Sequence, residues 1–168
     1  RGFEMTALDI SQTALDGIDL PIKKICSPIA EADLPERAFQ YVHSFDVLYH
    51  ILDDAEWAAS VAALARSSSR YLVLHERFTR FPQWGPSKIM KMRSRGQTAS
   101  IVRAEGFREI ATVPTYFVSK HLLTYTCLAS VHANTAAGSY EIVIVDDASP
   151  EPAEAALSAK TGRVASPR

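Results

Sequence analysis

The sequence predicts an α/β protein with a mostly parallel sheet covered by helices on both faces. Three observations predict it. Apolar, strand-like runs alternate with helical patterns over residues 3–131. The segment after Asp53 carries an apolar stripe at helical spacing. The run Arg70–Glu76 is apolar enough for a central strand buried on both faces. The sheet is expected to be incomplete, with a further strand–helix piece at the C-terminal end.

The elements follow in order. Residues 3–10 (FEMTALDI) alternate and then turn apolar, as a strand does. Ser11 is placed to cap a short helix over Ala14 and Leu15 that stops at Gly17. Residues 22–26 form a short strand, and 28–36 an acidic loop closed by Leu34-Pro35. Residues 39–44 (FQYVHS) are a third strand. In the next helix Asp53 is the N-cap, Glu56 is placed to complete a capping box, and Trp57, Val61 and Leu64 share one face. A long irregular stretch from Arg77 to Gly96 precedes a short helix over 98–105, which Gly106 ends. Two extended segments, 107–117 and 122–131, come last before a change of pattern.

A chain of 168 residues with 47% apolar content can bury a core of its own. A formal net charge of −1 gives no reason to expect a nucleic-acid partner. No run approaches the roughly 18 apolar residues of a spanning helix, so no membrane segment is expected. Cys26 and Cys127 sit among apolar residues and are expected to be buried free thiols, which points to a reducing, cytoplasmic compartment. The charge is segregated: residues 1–76 hold twelve acids and six bases, residues 77–110 eight bases and two acids. The basic stretch fits either a solvated face or a flap over an anionic substrate, and composition does not separate them. The chain opens on Arg1-Gly2-Phe3, directly in a strand pattern, and is expected to be a piece of a longer protein.

Ligands of open α/β sheets bind at the carboxyl ends of the strands. The acids expected there are Asp9 and Asp46. A carboxylate at such a tip can accept from two vicinal hydroxyls of a ribose, and Asp9 could equally cap the helix that follows. Spacing alone leaves both readings open.

The stretch Gly2-Phe3-Glu4-Met5-Thr6-Ala7-Leu8-Asp9-Ile10-Ser11, with Ala14-Leu15, resembles the second strand and helix of class I S-adenosylmethionine-dependent methyltransferases. Residues 39–54 (FQYVHSFDVLYHILDD) resemble that family's fourth strand and the V-L-x-H-I-x-D run after it. Tyr71–Glu76 is similar to its fifth strand, and Glu105-Gly106-Phe107 to the turn into its sixth. The resemblance covers residues 2–128 and implies a Rossmann-like fold lacking its first strand and Gly-rich loop, with a methyltransferase-like domain over 1–130. It departs at Gln40, where the family usually has an acid, and at Pro28, in the place of another acidic residue. It also implies roles. Asp9 would bind the cofactor's ribose, Ile10 would flank the adenine, and Asp33 would approach the adenine amine. Phe45 and Asp46 would line the transfer site, and His50 would be the candidate base. The same position also suits a structural histidine bonded to a backbone carbonyl.

Residues 139–150 (SYEIVIVDDASP) resemble the second strand of family 2 glycosyltransferases of the GT-A fold, with Thr126–Val131 similar to the helix before it. The resemblance implies a second domain beginning over 131–168, with a boundary between 111 and 138. It also implies a nucleotide-sugar contact at Asp146 and Asp147, and a divalent metal in the intact parent rather than a metal centre here. The expected function is a methyltransferase piece of a bifunctional protein that builds or decorates a polysaccharide, with a small-molecule or glycan acceptor. The alternatives are a glycosyltransferase using a nucleotide sugar and a non-catalytic interaction domain.

Overall fold

The structure, a computed structural model, describes residues 4–85, 88–115 and 125–132. Strand β1 (Thr6–Asp9) pairs in parallel with β2 (Lys23–Cys26), with Asp9 opposite Cys26. Between them runs helix α1 (Gln12–Asp16), capped by Ser11, whose Oγ accepts from the Ala14 N–H, and closed at Gly17. The crossover is short, with Ile10 and Ser11 alone between β1 and α1.

The larger sheet has the order β3-β4-β8-β7. Strand β3 (Phe39–Phe45) runs parallel to β4 (Ser68–Glu76), with Phe45 opposite His75. Strand β7 (Phe107–Thr115) and strand β8 (Tyr125–His132) form an antiparallel pair, and β8 inserts beside β4. The α/β architecture with parallel strands expected from the sequence is the one found, completed by this antiparallel pair. Thr126–Val131 lies in β8, which corrects the helix that the glycosyltransferase resemblance placed there. Apolar and β-branched residues in the run favour the strand.

Helix α2 (Asp54–Ser67) covers this sheet. The Asp53 Oδ1 accepts from the Glu56 N–H at 2.8 Å and satisfies one of the first-turn donors. Trp57, Val61 and Leu64 pack with Leu72 and Leu74 of β4 in the main core. Each buried aliphatic side chain there contributes about 1.5–3 kcal/mol. The helix passes into β4 without a linking residue. Ser67 Oγ donates to the Leu64 carbonyl, and Ser68 Oγ to that of Tyr71.

Helix α3 (Arg95–Ala104) lies beside α2. It starts three residues before the expected Thr98, because Ser94 and Gln97 form a reciprocal capping box. Gly106 follows the helix with φ 86°, a conformation that disfavours any side chain. The guanidinium of Arg37 ties the helix ends together. It donates to the carbonyls of Ala65, Ser68 and Glu105, at and just beyond the C-termini of the two helices.

The stretch read as irregular contains a small antiparallel hairpin, β5 (Gln83–Trp84) with β6 (Lys91–Met92). Cys26 is a free thiol, as expected, but exposed, because β2 lies at the margin of a two-stranded sheet. Its expected burial is corrected accordingly; the side chain of Cys127 lies outside the described residues. No helix among the described residues is long and apolar enough to cross a membrane.

Candidate active site

Strands β1 to β4 are paired in parallel within each sheet, so the tips of each pair lie side by side. At the tip of β1 the Asp9 carboxylate is exposed, and its Oδ1 accepts from the Ser11 N–H at 2.8 Å. That contact belongs to the capping reading, and it leaves the side chain at the strand end where the ribose reading needs it. Ile10 is 74% exposed beside it. The chain after β2 returns to the same tip, because the Ser27 N–H donates to the Asp9 carbonyl. Asp33 is exposed further along that loop.

At the tip of β3, Phe45 is half exposed and meets the His75 ring edge-on. Asp46 reverses the chain with φ 58°, in the left-handed region that Asp tolerates better than most residues. Its N–H donates to the His75 carbonyl, and its Oδ1 lies 3.3 Å from His75 Nδ1. A single 3-10 turn, Leu48–His50, follows directly.

This turn is held from below by Glu76, the last residue of β4. The Leu48 N–H donates to Oε1 at 3.1 Å and the Tyr49 N–H to Oε2 at 3.3 Å. Glu76 is 3% exposed. Burial pushes its carboxyl up to about 8, against the backbone N–H groups of Leu48, Tyr49 and Val47, which favour the ionised form. Arg77 lies over the Tyr49 ring. Burial also raises the Tyr49 phenol, with Asp46 adding to the rise and Arg77 opposing it.

The far end of the segment is held by Arg93. Its guanidinium donates to the carbonyls of Ile51, Leu52, Asp53 and Lys91 and to Asp54 Oδ1, and it lies 5.0 Å over the Trp57 ring. Lys91 Nζ lies 2.7 Å from the other oxygen of Asp54. Hydrogen bonds from Lys91 and Arg93 hold the Asp54 carboxyl below its usual range. Glu76, Arg93, Tyr49 and Trp57 line one small cavity beneath the segment. The basic stretch is therefore built in at Lys91, Arg93 and Arg95, the last paired with Glu109.

His50 ends the 3-10 turn, exposed, with Nδ1 3.4 Å from the Ile89 carbonyl of the hairpin loop. A carbonyl only accepts, so the contact is a hydrogen bond in the tautomer that carries its proton on Nδ1, which leaves Nε2 as the acceptor nitrogen. The structure thus brings Phe45, Asp46 and His50 onto one segment, and sets Asp9 and Ile10 together on β1. Asp146 and Asp147 lie outside the described residues. Among the described residues, no group of three or more His, Cys, Asp or Glu could hold a metal ion. Glu76 and Arg93 were missed as site residues. Glu76 had a signal, an acid closing an apolar strand; Arg93 had none beyond its charge.

The fold has counterparts among solved structures. The Burkholderia thailandensis 1,6-didemethyltoxoflavin-N1-methyltransferase, bound to 1,6-didemethyltoxoflavin and S-adenosylhomocysteine, matches with TM-score 0.60 and 13% identity over 77% of this chain and 61% of that one. The magnesium protoporphyrin IX methyltransferase of Synechocystis PCC 6803, with bound SAM, matches with TM-score 0.56 and 19% identity over 78% and 60%.

The chain has the fold of S-adenosylmethionine-dependent methyltransferases.

The methyltransferase fold also matches the [4+2]-cyclase SpnF, with TM-score 0.59 and 13% identity over 77% of this chain and 66% of that one. At these identities the likeness shows architecture alone. The chain spans about three-fifths of the length of the two methyltransferases named above. The sequence matches no family model and no curated protein.

Proposed function

We propose that this protein is an S-adenosylmethionine-dependent methyltransferase acting on a small-molecule or glycan acceptor. One observation carries the reading: within a methyltransferase fold, the segment from Phe45 to His50 sits at a strand tip with Phe45, Asp46 and His50 exposed and its backbone fastened from below. The residues at the tip of β1 fit the cofactor. An exposed carboxylate suits a ribose diol, and the exposed apolar Ile10 beside it suits a purine face.

S-adenosylmethionine would supply a sulfonium-bound methyl group open to in-line attack by the acceptor nucleophile, with S-adenosylhomocysteine as the leaving group. Asp9 would hold the ribose hydroxyls, Ile10 would pack on the adenine and Asp33 would accept from its amine. Phe45 and Asp46 border the reacting centre, and rate enhancement comes mainly from holding both reactants in register. His50 Nε2 takes the proton of an acceptor hydroxyl or amine, while Nδ1 keeps the ring anchored to the Ile89 carbonyl. The glycan acceptor and a bifunctional parent rest on the resemblance of residues 139–150 alone. A boundary near residue 130 belongs to the same resemblance, and a cytoplasmic location rests on the free thiol of Cys26.

The test is equilibrium dialysis of labelled S-adenosylhomocysteine with the product of the full reading frame that encodes this chain. Saturable binding, weakened in Asp9→Asn, is expected. No binding by the unaltered protein sinks the reading.

A further inference from the structure

We propose that Glu76 is a positioning residue of the transfer site, seating the turn that carries His50 through the turn's own backbone amides. The inference rests on the methyltransferase reading and adds to it a residue that touches no reactant. A 3-10 turn leaves its first N–H groups without partners, and the usual remedy is a neighbouring Ser, Thr, Asp or Asn cap. Here the preceding residue is Val47, which makes no side-chain cap bond. The acceptor comes instead from Glu76, 28 residues beyond Leu48 in sequence, at the end of the neighbouring strand.

The distinction between a local and a remote cap carries the argument. A local cap would fix the shape of the turn and leave its place free. A carboxyl group projecting from β4 fixes the turn relative to the sheet, and both oxygens are used, one per amide. The next residue, Arg77, grips the same turn from its side chain, 5.5 Å over the Tyr49 ring. The tip of β4 therefore holds Leu48 and Tyr49 by two successive residues. His50 is the next residue on, and Asp46 is tied to β4 at His75. The segment consequently presents Phe45, Asp46 and His50 in one arrangement, with its backbone seated on β4 independently of their own side-chain contacts.

The experiment compares Glu76→Gln, which keeps one acceptor oxygen, with Glu76→Met, which keeps none, in the full encoded protein. Amide hydrogen exchange is read at Leu48 and Tyr49 and at Val61 and Leu64 of α2. S-adenosylhomocysteine affinity is read on the same samples. In the methionine variant the two turn amides are expected to exchange about tenfold faster or more, while the α2 amides keep their protection. Affinity is expected to fall by about tenfold with methionine and by less with glutamine. Unchanged turn amides overturn the proposal. So do faster turn amides with full affinity, since the turn would then be held without serving the site. Loss of protection at α2 as well would mark a general structural role and overturn it too. An unaltered protein that binds no S-adenosylhomocysteine overturns the methyltransferase reading and this proposal together, whereas binding that the variants leave intact overturns this proposal alone.

Discussion

Glu76 and Arg93 hold opposite ends of one segment, and both do so through its backbone. The carboxylate receives the Leu48 and Tyr49 amides, and the guanidinium donates to the Ile51, Leu52 and Asp53 carbonyls. Between them the side chains of His50 and Leu52 stay exposed.

Glu76 makes stability depend on pH. Its folded-state carboxyl is raised to about 8, so between its ordinary range and that value the folded protein binds a proton that the unfolded chain does not. Its contribution therefore falls as pH rises through this window, by at most about 1.4 kcal/mol per pH unit. Urea unfolding of Glu76→Gln is expected to lack that slope, measured as the difference from the unaltered protein between pH 5 and pH 8.

Arg93→Met is expected to destabilise by about 3 kcal/mol. It strips the donor from three carbonyls ahead of α2 and leaves Asp54 with Lys91 alone. Arg93→Lys keeps the charge without the fork and should recover only part of the loss. Thermal and urea midpoints decide it; a loss under about 0.5 kcal/mol would remove Arg93 from its assigned role.

Arg37→Ala is expected to cost about 2 kcal/mol, because the carbonyls of Ala65, Ser68 and Glu105 lose one shared donor. Arg37 also stands at φ 55°, so Arg37→Gly should lose less than alanine does. Paired urea denaturation curves measure the order of the two variants.

Asp9 has a capping contact and a proposed ligand contact, and two substitutions separate them. Asparagine can still accept from the Ser11 N–H and should keep stability within about 0.5 kcal/mol. Its cofactor affinity should fall by about tenfold. Alanine should lose both properties. Equal affinity in Asp9→Asn and the unaltered protein would leave Asp9 as a cap alone.

Ser60 is fully buried in α2, and its Oγ has no hydrogen-bond partner among the described residues. Ser60→Ala is expected to be neutral or to stabilise by up to about 1 kcal/mol, since it removes a desolvated hydroxyl. A thermal melt of the single variant measures it.

The sequence disclosed those parts of the molecule that local chemistry determines. Asp53 ahead of the Trp57–Val61–Leu64 stripe marked α2, alternation marked β1, and a dense apolar run marked β4. Alternation did not mark β5 and β6, whose two-residue strands are too short to show a period. The start of α3 was misjudged because Arg95, Gly96 and Gln97 carry no apolar face, although the Ser94–Gln97 box was there to be read. Glu76 and Arg93 were harder for a physical reason. One bonds to amides 27 and 28 residues earlier, and the other to carbonyls about 40 residues earlier, so no local spacing records either contact. Arg93 was counted as part of a basic stretch, since a tally of charge is blind to burial.

The seamless passage from α2 to β4 makes the strand's phase a property of the helix's length. Ser68 and the Arg37 guanidinium pin the junction, so no slack remains there to absorb an added residue. One alanine inserted after Ser67 would shift the alternation by a single step. Tyr71 and Val73 would then take the places of Leu72 and Leu74 toward α2, and the carboxyl that seats the turn would leave on the opposite side of the sheet.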